Sequence, residues 1–480
     1  MNPLSAPWLE LAIGTAAVGS IVVGWLGRPD RVYRWGVAFI GSAFACSLLA
    51  SLSFYAEGPA ASPGARPSPL ALDDLSAPLL PAVALLHLLT AVATARAHAR
   101  RFSFSWSLAA EAIGLAIFAT KGPWPLVGLL AASTVPPLVE LRNRGRPTRL
   151  YALHMALFVG LLILGQTGVD ARGPASAAPG WACLALTAAV LIRSGAAPAH
   201  CWVTDWFEHA SFGIALLYAL PLSGVYAAIR LVVPIAPDWC LRLIGLASLA
   251  TAVYASAMAV VQREERRFFA FLFVGHAALV LVGLGIHTEL SLCASLCLWF
   301  SAILSLCGFG LTLRALEARF GRLSLAVHHG LYERTPVLAV FFLLTGLASV
   351  GFPGTVGFVS VELLVDGAVD ADLPAGIGVL AASALGGIAV LRAYLALFAG
   401  GRSDSSVAVG ITRRERFAVT ALTMLILAGG VFPQSGVKTR ETAAAAILKD
   451  RARRGTAATP AKPGEAAASE PASPRSRPLR

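Results

Sequence analysis

The sequence predicts an all-α polytopic membrane protein, and three observations support this prediction. Of its 480 residues, 57% are hydrophobic and only 13% are charged, whereas a soluble domain is about 25% charged. About fourteen apolar runs follow one another along the chain, each near the ~20 residues that a helix needs to cross a bilayer. The net charge of +12 is concentrated in the short connections between these runs. A soluble core of this length would lack the polar residues that cover a surface in water.

The connections between the apolar runs alternate between arginine-rich and arginine-poor segments. "ELRNRGRPTR" (140–149) and "QREERR" (262–267) belong to the arginine-rich set. Because arginine-rich loops stay on the cytoplasmic side, these loops face the cytoplasm and the amino terminus faces the opposite side. This asymmetry explains the positive charge without nucleic acid. With an even number of spans, the basic carboxyl-terminal tail would lie outside, against the same rule.

Four regions follow from composition along the chain. Residues 1–119 hold the N-terminal transmembrane helices, 120–400 a central core, and 401–434 a C-terminal transmembrane helix. Residues 435–480 form a basic tail that is rich in Ala, Pro and Ser, and we expect it to be disordered because it has no apolar periodicity.

No soluble domain and no nucleotide-binding motif occurs in the sequence. A Walker A motif and a glycine-rich dinucleotide fingerprint are both missing. Cys293 and Cys297 are four residues apart, but no ligand cluster accompanies them and no Cys-x-x-Cys pair occurs. We therefore expect no cofactor on this chain, and the seven cysteines are interpreted as small apolar packing residues.

One apolar stretch, residues 190–232, holds an unusual concentration of polar groups. Its charged or titratable members include Arg193, His200, Asp205, Glu208 and His209. A central Arg or Asp costs roughly 2.5–3.5 kcal/mol on insertion, and Pro198 removes a backbone donor in the same place. Such a break persists in lipid only where it lines a polar cavity, so the stretch predicts a functional site.

Four sequence segments resemble one family of membrane proteins, and one of them, "VYAAIRL" (225–231), matches the end of the helix that follows the break. "RSGAAPAHCWVTDWFEHASFG" (193–213) resembles the pattern K-x-x-x-x-P-x-H-x-W-x-P-D of the antiporter-like subunits of respiratory complex I, multi-subunit Na⁺/H⁺ antiporters and membrane-bound hydrogenases. "RRFFAFLFVGHAALVLVGLG" (266–285) and "SVGFPGTVGFVSVELLVDG" (349–367) resemble two further segments of that family, in the same order. The resemblance covers roughly residues 120–400.

The resemblance implies a fold of two inverted five-helix repeats, each with one discontinuous helix. The two breaks are expected near Pro198 and near "GFPGTVGF" (351–358). In the family, protons cross the membrane midplane along buried Lys, His and Glu side chains. The residues that would form this proton pathway here are Glu111, Arg193, His200, His276 and Glu362. Those expected at its cytoplasmic mouth, more as loop contacts or caps than as relay members, are Asp205, Glu208 and His209.

The chain departs from the family pattern at its central positions. The family lysine falls on Arg193, which does not readily release a proton. The partner carboxylate falls on Ala131, and we predict that Glu111 replaces it as the ion-pair partner of Arg193. The lysine of the eighth helix falls on Leu222 or Ser223.

Glu362 also departs from the pattern, since it lies one residue beyond the family position at Val361. One residue rotates a side chain by about 100° around a helix, so Glu362 is expected to aim elsewhere unless the local break absorbs the rotation.

Three functional hypotheses remain from the sequence. The first is a proton-translocating membrane subunit of a complex-I-like NADH:quinone oxidoreductase in the cell inner (plasma) membrane. Partner subunits would then handle quinone and NADH, and its contacts would be other membrane subunits and lipid. The second is a proton-driven subunit of an inorganic-carbon accumulation system or a cation/proton antiporter. The third is a scaffold subunit that has lost conduction.

Overall fold

The computed structural model describes residues 7–57, 70–94, 102–171, 178–400 and 410–457. The described part of the chain is built from helices, as the apolar runs predict. The residues between and beyond these ranges, including 458–480 of the predicted tail, lie outside the described part of the chain.

The helices follow the order of the apolar runs. They are α1 (Trp8–Trp25), α2 (Pro29–Glu57), α3 (Ser76–Val92), α4 (Phe104–Ala119), α5 (Pro123–Ser133), α6 (Val135–Asn143), α7 (Arg149–Asp170), α8 (Gly180–Arg193), α9 (Cys201–His209), α10 (Phe212–Ala219), α11 (Ser223–Ala227) with a π-helical turn (Ala228–Val232), α12 (Asp238–Val261), α13 (Glu265–Ile286), α14 (Glu289–Phe320), α15 (Pro336–Ser349), α16 (Val356–Ala371), α17 (Leu373–Phe398), α18 (Arg413–Val431) and α19 (Pro433–Ala457).

The helices form a buried centre and a peripheral layer. In the apolar 18-residue segments of Phe212–Val232 and of α13, 94% of the residues are buried inside the protein, and in that of α14, 89% are buried. By contrast, α1 and α2 are only 28% buried, so most of their apolar side chains face outward. In a membrane protein such faces meet lipid. The central helices are therefore the ones that can isolate a polar pathway from lipid.

The predicted number of fourteen spanning helices is not confirmed. Nine helical stretches of the described residues are long and apolar enough to cross a membrane, or ten if α18 and α19 together count as one bent span. Four further apolar helices, α3, α4, α8 and α15, are shorter. Two of these, α8 and α15, have only 14 residues each because each ends at a break in its path.

Both predicted breaks are confirmed. Helix α8 ends at Arg193 and α9 begins at Cys201, so the chain leaves helical geometry around Pro198. Helix α15 ends at Ser349, and α16 begins at Val356 after the "GFPGT" turn. The prolines and the left-handed glycines of these turns explain the interruption, because neither continues a helix easily.

A third break separates α10 from α11. Leu222 adopts a left-handed backbone with φ 49°, immediately after Pro221. Because the composition of this region is uniformly apolar, the sequence predicts one uninterrupted run here. The break falls at Leu222 and Ser223, where the resemblance predicts the lysine of the family's eighth helix.

The first part of the predicted tail is helical. Residues Pro433–Ala457 form α19, which bends by 80° from α18 and packs on α14. Polar residues mask the pattern in the sequence, but Arg440, Ala444 and Ile447 share the buried side of this helix. Spacings of three and four residues place them on one face.

Candidate functional site

Arg193 lies at the end of α8, where the first break begins. Its side chain is buried, with 6% exposure. The guanidinium carbon lies 4.3 Å from the centre of the Tyr218 ring and 5.6 Å from that of Trp202. Tyr218 in turn accepts a hydrogen bond of 2.9 Å from Tyr151. The positive charge is thus held by aromatic rings, an arrangement that attracts a cation without neutralising it.

The predicted ion pair between Glu111 and Arg193 does not form. Both carboxyl oxygens of Glu111 are buried without a hydrogen-bond partner, and the Nε of Arg193 is also unpartnered. Composition suggested the pair because each group needed a counter-charge in lipid. The structure instead gives Arg193 aromatic partners, and these could not be identified from chain spacing.

Glu111 belongs to a polar patch between α3 and α4. Val83 of α3 lies opposite Gly114 of α4. His87 is one helical turn after Val83, and Glu111 is one turn before Gly114. The buried polar atoms without partners in this patch are Nε2 of His87, Oγ1 of Thr90, Oγ of Ser107 and both carboxyl oxygens of Glu111. Buried polar groups in proteins are nearly always hydrogen-bonded to protein or water. Their concentration therefore marks a place where internal water would be bound.

His200 begins α9 on the far side of the first break. Its Nε2 lies 3.3 Å from the hydroxyl of Tyr254 on α12, while its Nδ1 is buried without a partner. The ring is half-buried and also contacts Phe271 on α13. The first break therefore places a histidine against both α12 and α13.

His276 is buried within α13 and connects this helix to the second break. Its Nδ1 lies 2.7 Å from the carbonyl oxygen of Leu272, and its Nε2 lies 2.6 Å from the carbonyl oxygen of Ser349. Both neighbours are acceptors, and a neutral imidazole has only one N–H, whereas imidazolium has two. The surroundings therefore provide an acceptor for every N–H of the protonated ring.

An aromatic N–H satisfies a carbonyl at each of the three breaks. Trp202 Nε1 donates to Ile192 over 2.8 Å, and Trp299 Nε1 donates to Pro221 over 3.2 Å. His276 has the corresponding place at Ser349. Among these three donors only the imidazole can gain or lose a proton near neutral pH.

Glu362 is exposed on α16 and lines a cavity of about 500 Å³ together with Asp366. Val361, where the resemblance places the family residue, lines both this cavity and a small internal cavity beside His276. The two cavities therefore adjoin at Val361, but Glu362 lines the outer one and not the one beside His276.

Asp205, Glu208 and His209 form contacts around the end of α9. His209 Nδ1 lies 3.1 Å from the carboxylate of Asp205, and Arg267 Nε lies 2.9 Å from that of Glu208. Arg266 binds the carbonyl oxygens of Phe207 and Ala210 at the same helix end. These contacts attach α9 to the start of α13.

Sequence reasoning missed two polar links. Arg314 of α14 donates to the carbonyl of Thr90 and to the hydroxyl of Thr94, over 3.2 and 2.7 Å. Asp73, just before α3, pairs with Arg230 over 2.6 Å. The spacing of His87, Thr90 and Thr94 on one face of α3 was the available signal. Within the described ranges, no group of three His, Cys, Asp or Glu side chains could hold a metal ion.

The central region matches a known family. Residues 153–386 match the family described as "NADH:quinone oxidoreductase/Mrp antiporter, TM". NADH-quinone oxidoreductase subunit N of Halorhodospira halophila is 28% identical over 260 residues, which cover 51% of this chain and 53% of that protein. Subunit M of Rickettsia bellii is 28% identical over 267 residues, which cover 52% of each. The chain thus spans about half the length of the curated relatives it matches.

Solved structures share the fold over nearly the whole chain. A chain of the Mrp complex from Dietzia sp. DQ12-45-1b has a TM-score of 0.81 at 18% identity and covers 95% of this chain and 100% of that one. A chain of respiratory complex I from Thermus thermophilus has a TM-score of 0.81 at 21% identity and covers 92% of this chain and 99% of that one. The protein is therefore a multi-pass membrane protein that is similar over residues 153–386 to the family described above, and similar in fold, over at least 92% of its length, to these chains of an Mrp complex and of respiratory complex I.

Proposed function

We propose that this chain is a proton-translocating, antiporter-like subunit of a complex-I-like NADH:quinone oxidoreductase in the cell inner (plasma) membrane. Other subunits would carry the redox reaction with NADH and quinone, and this chain would couple it to proton movement. The family match at residues 153–386 and the relatives named as subunits M and N support this assignment. No cofactor is required on the chain for this role.

The observation that carries the proposal is the contact of His276 with the second break. A structural donor at this position could be a tryptophan, as at Pro221, where Trp299 donates. His276 has instead a carbonyl acceptor at each ring nitrogen, within 2.7 Å. The ring can therefore hold a proton in a buried place without losing a hydrogen bond. A proton carrier at the membrane midplane needs this property.

The remaining residues of the pathway have separate roles in the proposal. His200 would exchange protons at the first break through its unpartnered Nδ1. Arg193, stacked on Tyr218, would keep a fixed positive charge that opposes the free passage of hydronium. Glu111 would accept protons through water bound in the patch between α3 and α4, and Glu362 would serve the lateral cavity on α16.

The residues around α9 would form the cytoplasmic mouth. Asp205, Glu208 and His209 would hold α9 against α13 and concentrate exchangeable protons there. The ion pairs of Asp205 with His209 and of Glu208 with Arg267 give these residues mainly a structural role.

Proteoliposomes that contain the whole assembly test this function. His276→Gln keeps a side-chain donor but cannot be protonated near neutral pH, so we expect electron transfer to continue with a lower proton yield per electron. His329→Gln is the matched control, because His329 Nε2 lies 2.7 Å from the carbonyl oxygen of Ser324 in the connection between α14 and α15, outside the proposed pathway. Full pumping in both His276→Gln and the double variant His200→Ala, His276→Gln would exclude this pathway and favour a scaffold subunit.

A second candidate is a subunit of a cation/proton antiporter. The fold likeness to the Dietzia Mrp complex, with its TM-score of 0.81, equals that to complex I. The same vesicles distinguish the two, because an antiporter subunit would exchange protons for Na⁺ without quinone reduction.

A further inference from the structure

The bend between α18 and α19 encloses a cavity that the proton pathway does not use. Its volume is about 130 Å³, and its walls come from α14, α16, α18 and α19. Phe300 of α14 and Val356 of α16 make its inner wall apolar. Phe432, which is 75% exposed, lies at its outer side, where the molecule faces lipid.

Arg440 is the charged group of this cavity. It is buried, with 6% exposure, and its guanidinium carbon lies 4.9 Å from the centre of the Phe300 ring. Its Nη1 donates a hydrogen bond of 3.1 Å to the hydroxyl of Thr439, the preceding residue in the chain. Among the described residues, no carboxylate forms an ion pair with Arg440. A buried guanidinium is costly unless an anion accompanies it, so the cavity lacks its counter-charge.

The start of α19 adds donors on the same cavity. Helix α19 begins at Pro433, and Ser435 and Gly436 of its first turn line the space. The first N–H groups of a helix have no intrahelical acceptor, and the helix dipole favours negative charge at this end. A Cβ added at Gly436 would meet no atom within 4 Å, so the backbone there is open to a ligand.

We propose that this cavity binds a phosphoryl oxyanion, which the Arg440 guanidinium and the first turn of α19 hold together. An arginine fork matches the oxygens of a phosphate group, and a helix amino terminus supplies N–H donors to the others. The apolar walls and the exposed Phe432 favour the phosphate of a membrane lipid, whose chains would continue into the surrounding bilayer. Free inorganic phosphate has the same chemistry and is the second source to be tested. This site is independent of the proton pathway.

Native mass spectrometry of the full chain, stripped of lipid and then titrated with phosphatidylglycerol, tests the lipid arm. Thermal unfolding with added inorganic phosphate tests the free-anion arm. Arg440→Gln removes a charge-assisted contact of about 1.5–3 kcal/mol, which corresponds to a loss of affinity of roughly tenfold to a hundredfold. Lys438→Gln is the matched control, since Lys438 is exposed two residues away and does not line the cavity.

A second variant keeps the test decisive if Arg440→Gln fails to fold. Gly436→Asp places a carboxylate in the open space at a helix start, where it suits the dipole but repels an anion. Gly436→Ala controls for added volume. Loss of binding in Gly436→Asp, with binding retained in Gly436→Ala and Lys438→Gln, supports the site. The ligand that shows this pattern, phosphatidylglycerol or inorganic phosphate, identifies the source of the anion. Equal binding by the wild type, Gly436→Asp and any folded Arg440 variant in both arms would overturn it.

Discussion

His276 and Ser349 join the centre of the protein to its second helix break, because the imidazole Nε2 lies 2.6 Å from the carbonyl oxygen that ends α15. His276 therefore both contacts the carbonyl at the end of α15 and supplies a titratable group. A substitution at His276 should therefore have separable effects on stability and on proton movement.

The first prediction separates these two effects. His276→Leu leaves the carbonyl of Ser349 buried without a donor, which costs about 1–3 kcal/mol of unfolding free energy. His276→Gln retains a donor of similar length, so we expect a smaller loss of stability and an equal loss of pumping. Unfolding of the purified chain in detergent gives the first quantity, and proton uptake gives the second. Equal stability of the Leu and Gln variants would contradict the hydrogen bond as a structural contact.

The second prediction concerns Glu111 and Arg193. Because they form no ion pair, their substitutions should act independently. Arg193→Leu loses its stacking on Tyr218, worth about 2 kcal/mol when desolvated, whereas Glu111→Gln removes no formed hydrogen bond. In a double-mutant cycle we expect a coupling free energy within about 0.5 kcal/mol of zero. A larger favourable coupling would show that the two side chains do form the ion pair that the sequence predicts.

The third prediction concerns Arg193 in proton movement. Lysine keeps the positive charge beside Tyr218 and can also release a proton when desolvated. Arg193→Lys should therefore retain or increase pumping, while Arg193→Gln should decrease it through loss of the fixed charge. Proton uptake per electron distinguishes the variants. If Arg193→Gln pumps as well as the wild type, the charge has no part in the pathway.

The fourth prediction is an acid-dependent loss of stability at Asp73. Burial alone would raise the pKa of this carboxyl, but the Arg230 guanidinium and hydrogen bonds from Ser76 hold it below its ordinary value of 3.8. A carboxyl whose pKa is lowered on folding adds stability above its unfolded pKa, and this stability is lost as pH falls through the folded pKa. Asp73→Asn should therefore be less stable than the wild type at neutral pH.

The difference between Asp73→Asn and the wild type should decrease as the pH falls below 3.8, the ordinary pKa of this carboxyl, and through its lowered folded pKa. Midpoints of thermal unfolding across this range measure it. Asp74→Asn controls for a neighbouring charge change. A difference that does not vary with pH would show that the Asp73–Arg230 pair contributes through packing alone.

The fifth prediction concerns membrane topology. Arg451 of α19 donates to the carbonyls of Val233 and Ala236, in the connection before α12, which the arginine pattern assigns to the non-cytoplasmic side. In a chain without native cysteines, Lys449→Cys should be labelled from outside and Arg146→Cys from the cytoplasm. Labelling of both cysteines from one side would show that α18 does not carry the chain across the membrane.

The sequence by itself determined the class, the resemblance and the two proline–glycine breaks. Apolar runs need lipid whatever their packing, and the proline and glycine residues around Pro198 and in "GFPGT" disfavour an unbroken helix in any fold. The same local reasoning placed Glu362 one residue away from the useful register, and the structure shows it exposed beside a lateral cavity.

Only the tertiary structure decided which groups meet. Arg193 packs on Tyr218, His276 reaches Ser349, and Arg440 lies under Phe300, and each pair joins residues from different helices or distant parts of the chain. Such pairings depend on the rotation and depth of each helix, because one residue changes the direction of a side chain by about 100°. Apolar runs carry little information about that rotation, since every face of a central helix is hydrophobic. The fold therefore determines where the scarce polar groups meet.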